Sequence, residues 1–355
     1  MFLVINDMSE KKIKIGLVGC GRVSRTAHYD AINNNPLLDF RAVCDTDRSR
    51  ADTWAAKNKV KAYYDLDNLL ESEDLDLVSI NVPNRLHPKL GMKVAKKGVH
   101  VICEKPLGIR LAEVDELIAC CEKNNVRLFT VLQNRYNETN KLLKQSIENE
   151  RFGQIHTCNV TLRWCRGIGY YTEDNGWRGS RDLAGGVFTN QAVHYIDMMQ
   201  WLIGVPALTV YSKMDTCIHL VNVETHGSAI IKFSNGVIGS LDLTNLNYSG
   251  DTEGSITILG EKGTVKIGGK SMNQILEWDF QSSIPGDENI FDSSFIPPTV
   301  YGFGHQEFYD RVVQFLVNED LGDGIIDGLE GRKSVELLEA LYKSSEQSRE
   351  ITLPL

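Results

Sequence analysis

The sequence has few of the features that mark a membrane, nucleic-acid or metal-binding protein. Its net charge of −9 argues against nonspecific contact with nucleic acid or an anionic membrane, while leaving room for a local basic pocket. Eight cysteines show no C-x-x-C or zinc-ligand spacing, so we expect reduced, partly buried thiols in a cytoplasmic protein, and no metal site. Phe2-Leu3-Val4-Ile5 is apolar but too short for a signal peptide or a membrane span, and no basic region or cleavage site accompanies it. Residues 1–12 are expected to form a loosely attached arm. No internal repeat or low-complexity tract is evident.

What is present is ordinary in bulk and informative in order. Hydrophobic residues make up 42% of the chain and charged residues 24%, as in soluble globular proteins. At 355 residues it exceeds what one core usually holds, so two domains are expected. Predicted strands at 14–19, 39–44, 74–81 and 126–131, with another ending at Glu104-Lys105-Pro106, alternate with helices at 23–33, 48–57, 88–97 and 111–123. That rhythm calls for a parallel sheet with right-handed crossovers. Beyond about residue 135 the pattern changes to a helix at 137–149, a strand at 153–164 and a helix at 192–202. Alternation then runs over 208–267, with turns at Ser234-Asn235-Gly236 and Gly260-Glu261-Lys262-Gly263, and reads as an antiparallel sheet. Residues 268–300 look irregular, and helices return at 305–317 and 331–346.

Gly19-Cys20-Gly21-Arg22-Val23-Ser24 follows the first strand and opens the first helix. It is a G-x-G-x-x-S form of the dinucleotide fingerprint, in which the first glycine permits the tight turn and the second lets a pyrophosphate approach the backbone. Serine in the third place implies slightly looser helix–strand packing. Asp45 closes the second strand, where a carboxylate either accepts the adenosine ribose hydroxyls or caps the next helix. A carboxylate there repels a 2′-phosphate, which favours NAD over NADP, although Arg48 lies near. The fold class is α/β: a Rossmann dinucleotide-binding domain over 13–134, then an α+β domain with an open, mostly antiparallel sheet over 135–355. The last helices of the second can pack back on the first.

Lys105 is delivered by its strand to the crevice where open α/β sheets bind ligands, and a lysine there can orient a substrate hydroxyl. Alone, Glu104-Lys105-Pro106 would read as a solvated loop. With the fingerprint, Asp45 and Asn81-Val82-Pro83-Asn84-Arg85-Leu86-His87 in this order, the chain resembles the Gfo/Idh/MocA oxidoreductases. The resemblance implies that Lys105 lies beside the substrate hydroxyl and that His194 is the acid/base, a role its side chain suits near neutral pH. In isolation His194 would read as a core histidine. Asn190 stands where many members carry Asp. Asp197, one turn beyond His194, either orients the imidazole or faces solvent. The resemblance also implies that Gly19, Gly21, Arg22, Val23 and Asp45 hold NAD, with Pro83, Asn84, His87, Glu104, Lys105 and Gln133 on its nicotinamide side.

Arg163-Trp164-Cys165-Arg166, Tyr170-Tyr171, Gly176-Trp177-Arg178-Gly179 and Asn190-Gln191-Ala192-Val193-His194 together look like the subgroup that oxidises C3 of UDP-N-acetylglucuronate in bacterial surface-polysaccharide synthesis. Arg163, Arg166 or Arg178 would then grip a carboxylate or diphosphate, Tyr171 and Trp177 would pack on a ring, and Asn190, Gln191 and Tyr136 would reach the sugar. Trp164 and Trp177 can equally be core anchors, any of the arginines can belong to a structural ion pair, and 133–136 can simply brace the domain junction. Rival substrates are UDP-N-acetylglucosamine, a free sugar or inositol. A more distant alternative is a non-catalytic NAD-binding regulator or scaffold. The family resemblance further implies a homo-oligomer, dimer or tetramer.

Overall fold

The computed structural model describes residues 12–269, 271–297, 301–318 and 324–355, so the expected arm lies almost wholly outside the described residues. Six parallel strands form the first sheet: β1 (Ile13–Val18), β2 (Leu38–Cys44), β3 (Lys61–Tyr63), β4 (Leu77–Ile80), β5 (His100–Cys103) and β6 (Leu128–Thr130). Their order is β3-β2-β1-β4-β5-β6, so the chain switches direction between β1 and β4 and opens a crevice at the carboxyl ends of both. All four residues of β4 are buried, as both faces are covered. The covering helices are α1 (Tyr29–Asn34), α2 (Arg48–Asn58), α3 (Leu66–Ser72), α4 (His87–Ala95) and α5 (Leu111–Lys123). The expected helix at 23–33 starts as one wide π turn at Ser24–His28.

After α6 (Glu138–Glu148) comes the second sheet, whose strands are β7 (Ile155–Arg163), β8 (Ala207–Asp215), β9 (His226–Phe233), β10 (Ile238–Thr244), β11 (Glu253–Gly260), β12 (Gly263–Gly268), β13 (Gln274–Phe280) and β14 (Ile351–Thr352). Its order is β13-β12-β11-β7-β10-β9-β8-β14, antiparallel except where β10 runs parallel to β7. Short α7 (Ile168–Thr172) and α8 (Val193–Ile203) lie in the long connection from β7 to β8. One sheet face packs on α8, joining Ile196, Met199, Val160, Ile231 and Leu241 in a single core. The other leaves Tyr211, its cross-strand partner Ile230, and Ile238 exposed. Residues 268–300 are not wholly irregular, since β13 extends the sheet. A register shift between Lys266 and Ile267 breaks the alternation that would have marked it.

The last two helices tie the layers together. In α9 (Gly304–Asn318), Phe308, Tyr309, Val312 and Phe315 share a core with Ile15, Leu17, Tyr29 and Phe129 of the first sheet's layer. The longer α10 (Gly328–Gln347) touches α5 and β6 on one side, α8 and β8 on the other. At the junction Arg135 donates to both oxygens of Asp197 on α8 at 2.9 and 2.5 Å, and to Glu330 on α10 at 2.7 Å. Arg135 and Asp197 are almost fully buried. Asp197 therefore neither orients His194 nor faces solvent; its carboxylate is taken up by the junction.

Removing one partner of a buried pair leaves a charge without compensation. Asp197→Ala is expected to lower stability by about 3 kcal/mol, the low end for such breaks because Glu330 still holds the guanidinium. Urea unfolding monitored by circular dichroism checks this as a lower midpoint with an unchanged slope.

Candidate active site

The crevice begins at the glycine-rich turn. Gly19 has φ +95°, and a Cβ there would overlap the Asn81 carbonyl at the end of β4. Cys20 N–H donates to Asp45 Oδ2 at 2.7 Å and Asp47 N–H to Asp45 Oδ1 at 2.8 Å, so Asp45 fixes the turn. The helix-capping alternative belongs instead to Asp47, which accepts from Arg50 N–H. Arg48 is stacked over the Tyr64 ring at 4.4 Å. Above Gly21 nothing lies within 4 Å of where a Cβ would sit, leaving backbone open to a ligand. Ser24, in the third-glycine place, is buried and donates to Gly19 O at 2.5 Å, closing the turn.

Around the ends of β4 and β5 the loops are bolted together. His87 is buried, with Nδ1 2.7 Å from Pro106 O and Nε2 2.8 Å from Val82 O. It shapes the crevice through these loops, donating its one ring N–H to either carbonyl when neutral. After Pro83, Asn84 Nδ2 donates to Ala184 O at 2.8 Å, reaching the second layer. Glu104 is buried, accepting from its neighbour's backbone Lys105 N–H at 3.0 Å and bonding His28 Nε2 at 2.9 Å. His305 Nε2 faces the same carboxylate at 3.7 Å. Burial opposes charge on Glu104, yet the facing His28 and His305 rings and the Lys105 amine hold its pKa well below the usual range.

Lys105 Nζ donates to Asn190 O at 2.9 Å, bringing the end of β5 onto the turn before α8. Burial pulls the Lys105 pKa down, with Glu104 opposing. On α8, His194 is driven well below its ordinary pKa by burial and by the Lys105 charge. Its ring is thus neutral at physiological pH and able to take a proton. Several buried polar atoms here have no hydrogen-bond partner among the described residues: Asn81 Nδ2, Gln133 Oε1, His194 Nδ1 and both nitrogens of His305. Buried polar atoms are normally satisfied, so this cluster suits a polar ligand. With the open backbone at Gly21 and the carboxylate of Asp45, the crevice fits a dinucleotide.

On the far side, Gln191 Nε2 and Asn190 Nδ2 donate to Tyr170 Oη at 2.5 and 3.2 Å, while Asn245 bridges Gln191 and the buried Tyr171. Arg178 lies over the Tyr170 and Trp177 rings at 5.4 and 4.7 Å. Charges of Arg178, Arg166 and the largely exposed Arg22 all bear on Tyr170, so arginines of both layers converge there. Val23 is half-buried beside Arg22. Two expected substrate residues lie elsewhere. Arg163 alternates with buried Leu162 onto the open sheet face and pairs there with Asp242. Tyr136 is buried at the junction, donating to Gly324 O at 2.8 Å and packing on Phe308.

Two family models match the chain: "Oxidoreductase family, NAD-binding Rossmann fold" over residues 13–132 and "GFO/IDH/MocA C-terminal domain" over 141–266. The chain belongs to the Gfo/Idh/MocA oxidoreductases. Within the family it is 38% identical to the WlbA dehydrogenase of Bordetella pertussis, solved with NADH and UDP-GlcNAcA, with a TM-score of 0.92 over 98% of this chain and 99% of that one. The WlbA dehydrogenase of Chromobacterium violaceum, solved with the same two ligands, is 37% identical with a TM-score of 0.91 over 100% and 99%. The myo-inositol 2-dehydrogenase of Thermotoga maritima is 25% identical over 349 residues, 96% of this chain and 98% of that protein. The chain is an NAD-dependent Gfo/Idh/MocA oxidoreductase. Among the described residues no helix is long and apolar enough to cross a membrane.

Sequence reading missed His28, His305 and Tyr309. His28 Nδ1 lies 2.8 Å from Tyr309 Oη, which donates to Ser79 Oγ at 2.9 Å. His28 was within reach, nine residues past Gly19 on the first helix of the Gfo/Idh/MocA cofactor domain. His305 and Tyr309 come from the far end of the chain, with no local signal. His28, Glu104 and His305 also place three possible metal-ligand atoms within 4.8 Å of one another. The His28–Glu104 hydrogen bond satisfies the carboxylate without an ion.

Gly19→Ala should shift the turn, lower the melting temperature and weaken NADH binding by about tenfold or more. Gly21→Ala, entering open space, should leave melting unchanged and still weaken NADH. Thermal melts and NADH fluorescence titrations check both.

Proposed function

We propose that this oxidoreductase oxidises the C3 hydroxyl of a UDP-linked N-acetylamino sugar, UDP-N-acetylglucuronate, to its 3-keto form in bacterial surface-polysaccharide synthesis. The observation that carries the reading is the meeting of Lys105, Asn190 and His194 in a chain 37–38% identical, end to end, to two dehydrogenases solved with that sugar nucleotide. When bound, NAD would supply the acceptor for the hydride that leaves the sugar carbon. His194, held neutral by burial and by Lys105, accepts the hydroxyl proton. The Lys105 amine polarises that oxygen and keeps it in line. Asn190 and Gln191 orient neighbouring hydroxyl or acetamido groups, and an anionic substrate would draw Arg178 and Arg166 from their pairs with Asp174 and Asp251. Half-buried Trp177 supplies ring surface, while Tyr171, itself buried, backs an open cavity of about 430 Å³ that runs to Leu220.

On the cofactor side, Gly19, Gly21, Arg22 and Val23 take the diphosphate and Asp45 the adenosine ribose. Pro83, Asn84, His87, Glu104 and Gln133 frame the nicotinamide. The division falls at 134/135, between a cofactor domain and a substrate domain, in a cytoplasmic protein. Tyr211, Ile230 and Ile238, exposed on one sheet face, support a homo-oligomer formed through that face. A second reading, a free polyol as substrate, is favoured by the likeness to myo-inositol 2-dehydrogenase.

The test follows NADH absorbance near ~340 nm with UDP-N-acetylglucuronate, UDP-N-acetylglucosamine, glucose and inositol, each with and without 2-oxoglutarate. Reduction specific to the uronate is expected; reduction by inositol or glucose alone overturns the substrate assignment. Lys105→Met and His194→Ala should each lower kcat by about 10²- to 10⁴-fold, with the NADH dissociation constant nearly unchanged. Near-normal turnover in either variant removes that residue from its role.

A further inference from the structure

The turn that carries Asn190 and Gln191 is gripped from behind by a carboxyl that the chemistry above does not use. Glu224, two residues before β9, is buried. Its Oε1 accepts from Phe188 N–H at 3.0 Å and from the Tyr342 hydroxyl at 2.7 Å. Tyr342, near the end of α10, also bonds Thr189 Oγ1 at 2.8 Å and accepts from Gly186 N–H at 3.3 Å. The Glu224 carbonyl accepts Val187 N–H at 3.1 Å. A Cβ on Gly186 would overlap both the carbonyl and the carboxyl of Glu224, so only glycine allows this approach. The other end of the same turn is held by Lys105 through the Asn190 carbonyl.

A buried carboxyl is costly unless its donors compensate. Here burial pushes Glu224 up to about 7, against the bonds from Tyr342 and Phe188 and the charge of Arg181. Arg181 stands 5.2 Å from the Tyr342 ring and pairs with Glu346 at the surface. Tyr171, whose hydroxyl accepts from Asn245, is the other titratable group that feels Glu224. An apolar side chain would avoid this cost but could not accept from the Phe188 N–H and from the Tyr342 hydroxyl, which itself meets Gly186 N–H and Thr189 Oγ1.

We propose that Glu224 and Tyr342 form a clamp that sets the position of the 186–191 turn, making Glu224 a positioning residue for Asn190 and Gln191. The inference rests on the placing of that turn on the substrate side. The clamp acts through backbone and so does not depend on which sugar binds. It also links the turn to α10, the helix that spans both layers.

Three variants test it: Glu224→Ala, Tyr342→Phe and Glu224→Gln, compared at pH 6, where the native carboxyl is mostly protonated. Hydrogen exchange of peptides covering 186–191, NADH affinity, and kcat and KM on whichever sugar turns over are measured. The alanine and phenylalanine variants should exchange about tenfold faster over 186–191 and lose about tenfold in kcat/KM for sugar, with NADH affinity unchanged. Glu224→Gln, whose amide oxygen accepts the same two bonds, should stay within about threefold of the native enzyme. Unchanged exchange and kinetics in Tyr342→Phe, a glutamine variant as damaged as the alanine one, or a parallel loss of NADH affinity overturns the clamp. Tyr342→Phe keeps the ring packing, so misfolding of the alanine variant does not remove the test. Exchange is read without sugar, so a wrong substrate assignment leaves the clamp measurable on its own.

Discussion

The amine of Lys105 ends on the carbonyl of Asn190, and the two residues belong to different layers of the molecule. An ammonium withdrawn from water needs an acceptor, and a backbone carbonyl provides one only if its turn is held still. That requirement fixes the end of β5 against the start of α8. It also sets the acid/base chemistry, because the charge on Lys105 helps keep the His194 ring neutral. A lysine and a histidine that share a small volume cannot both be protonated cheaply. The one with the higher intrinsic pKa keeps the proton, and the other becomes the base.

The same lysine is tied to the cofactor turn through a run of buried polar groups. Glu104 bonds His28, His28 bonds Tyr309, Tyr309 donates to Ser79, and Ser79 donates to Asn81 Oδ1 at 3.2 Å. Asn81 is the residue whose carbonyl the missing Cβ of Gly19 accommodates. Linked hydrogen bonds in a low-dielectric interior reinforce one another and resist displacement. The cofactor turn and the reacting centre are thus held in register by side chains from β4, β5, the first helical turn and α9. A change in any of these propagates to the geometry at Lys105.

How much of this was legible varies with the range of the interaction. The glycine turn and the strand leading to Lys105 were readable because each depends on a short stretch of backbone. The helix at Leu111–Lys123 matches its expected bounds for the same reason: its apolar periodicity is local. Asp197 was misplaced because helical spacing puts it near His194, whereas Arg135, 62 residues away, claims the carboxylate. Tyr136 and Arg163 were read as substrate residues from their company in the chain. One is drawn into the junction by Phe308, and the other is turned outward by strand alternation. Neither Phe308 nor Asp242 is near its partner in sequence. The Ser24 hydroxyl bond to Gly19 O could not be inferred from residue size.

The expected division at 134/135 follows chain order, and α9 packs back across it onto the first sheet's layer. Cutting there would strip Phe308, Tyr309, Val312 and Phe315 from the core they share with Ile15, Leu17 and Phe129. Fully burying such a side chain is worth about 1.5–3 kcal/mol, comparable in sum to the whole stability of many domains. The first sheet's layer is therefore completed by α9, more than 170 residues past the boundary. It follows that the His28–Glu104–His305 cluster exists only when both ends of the chain are assembled. A cofactor domain made from the first 134 residues would keep its glycine turn, His28 and Lys105, and lose His305, one of the three groups that hold Glu104 ionised.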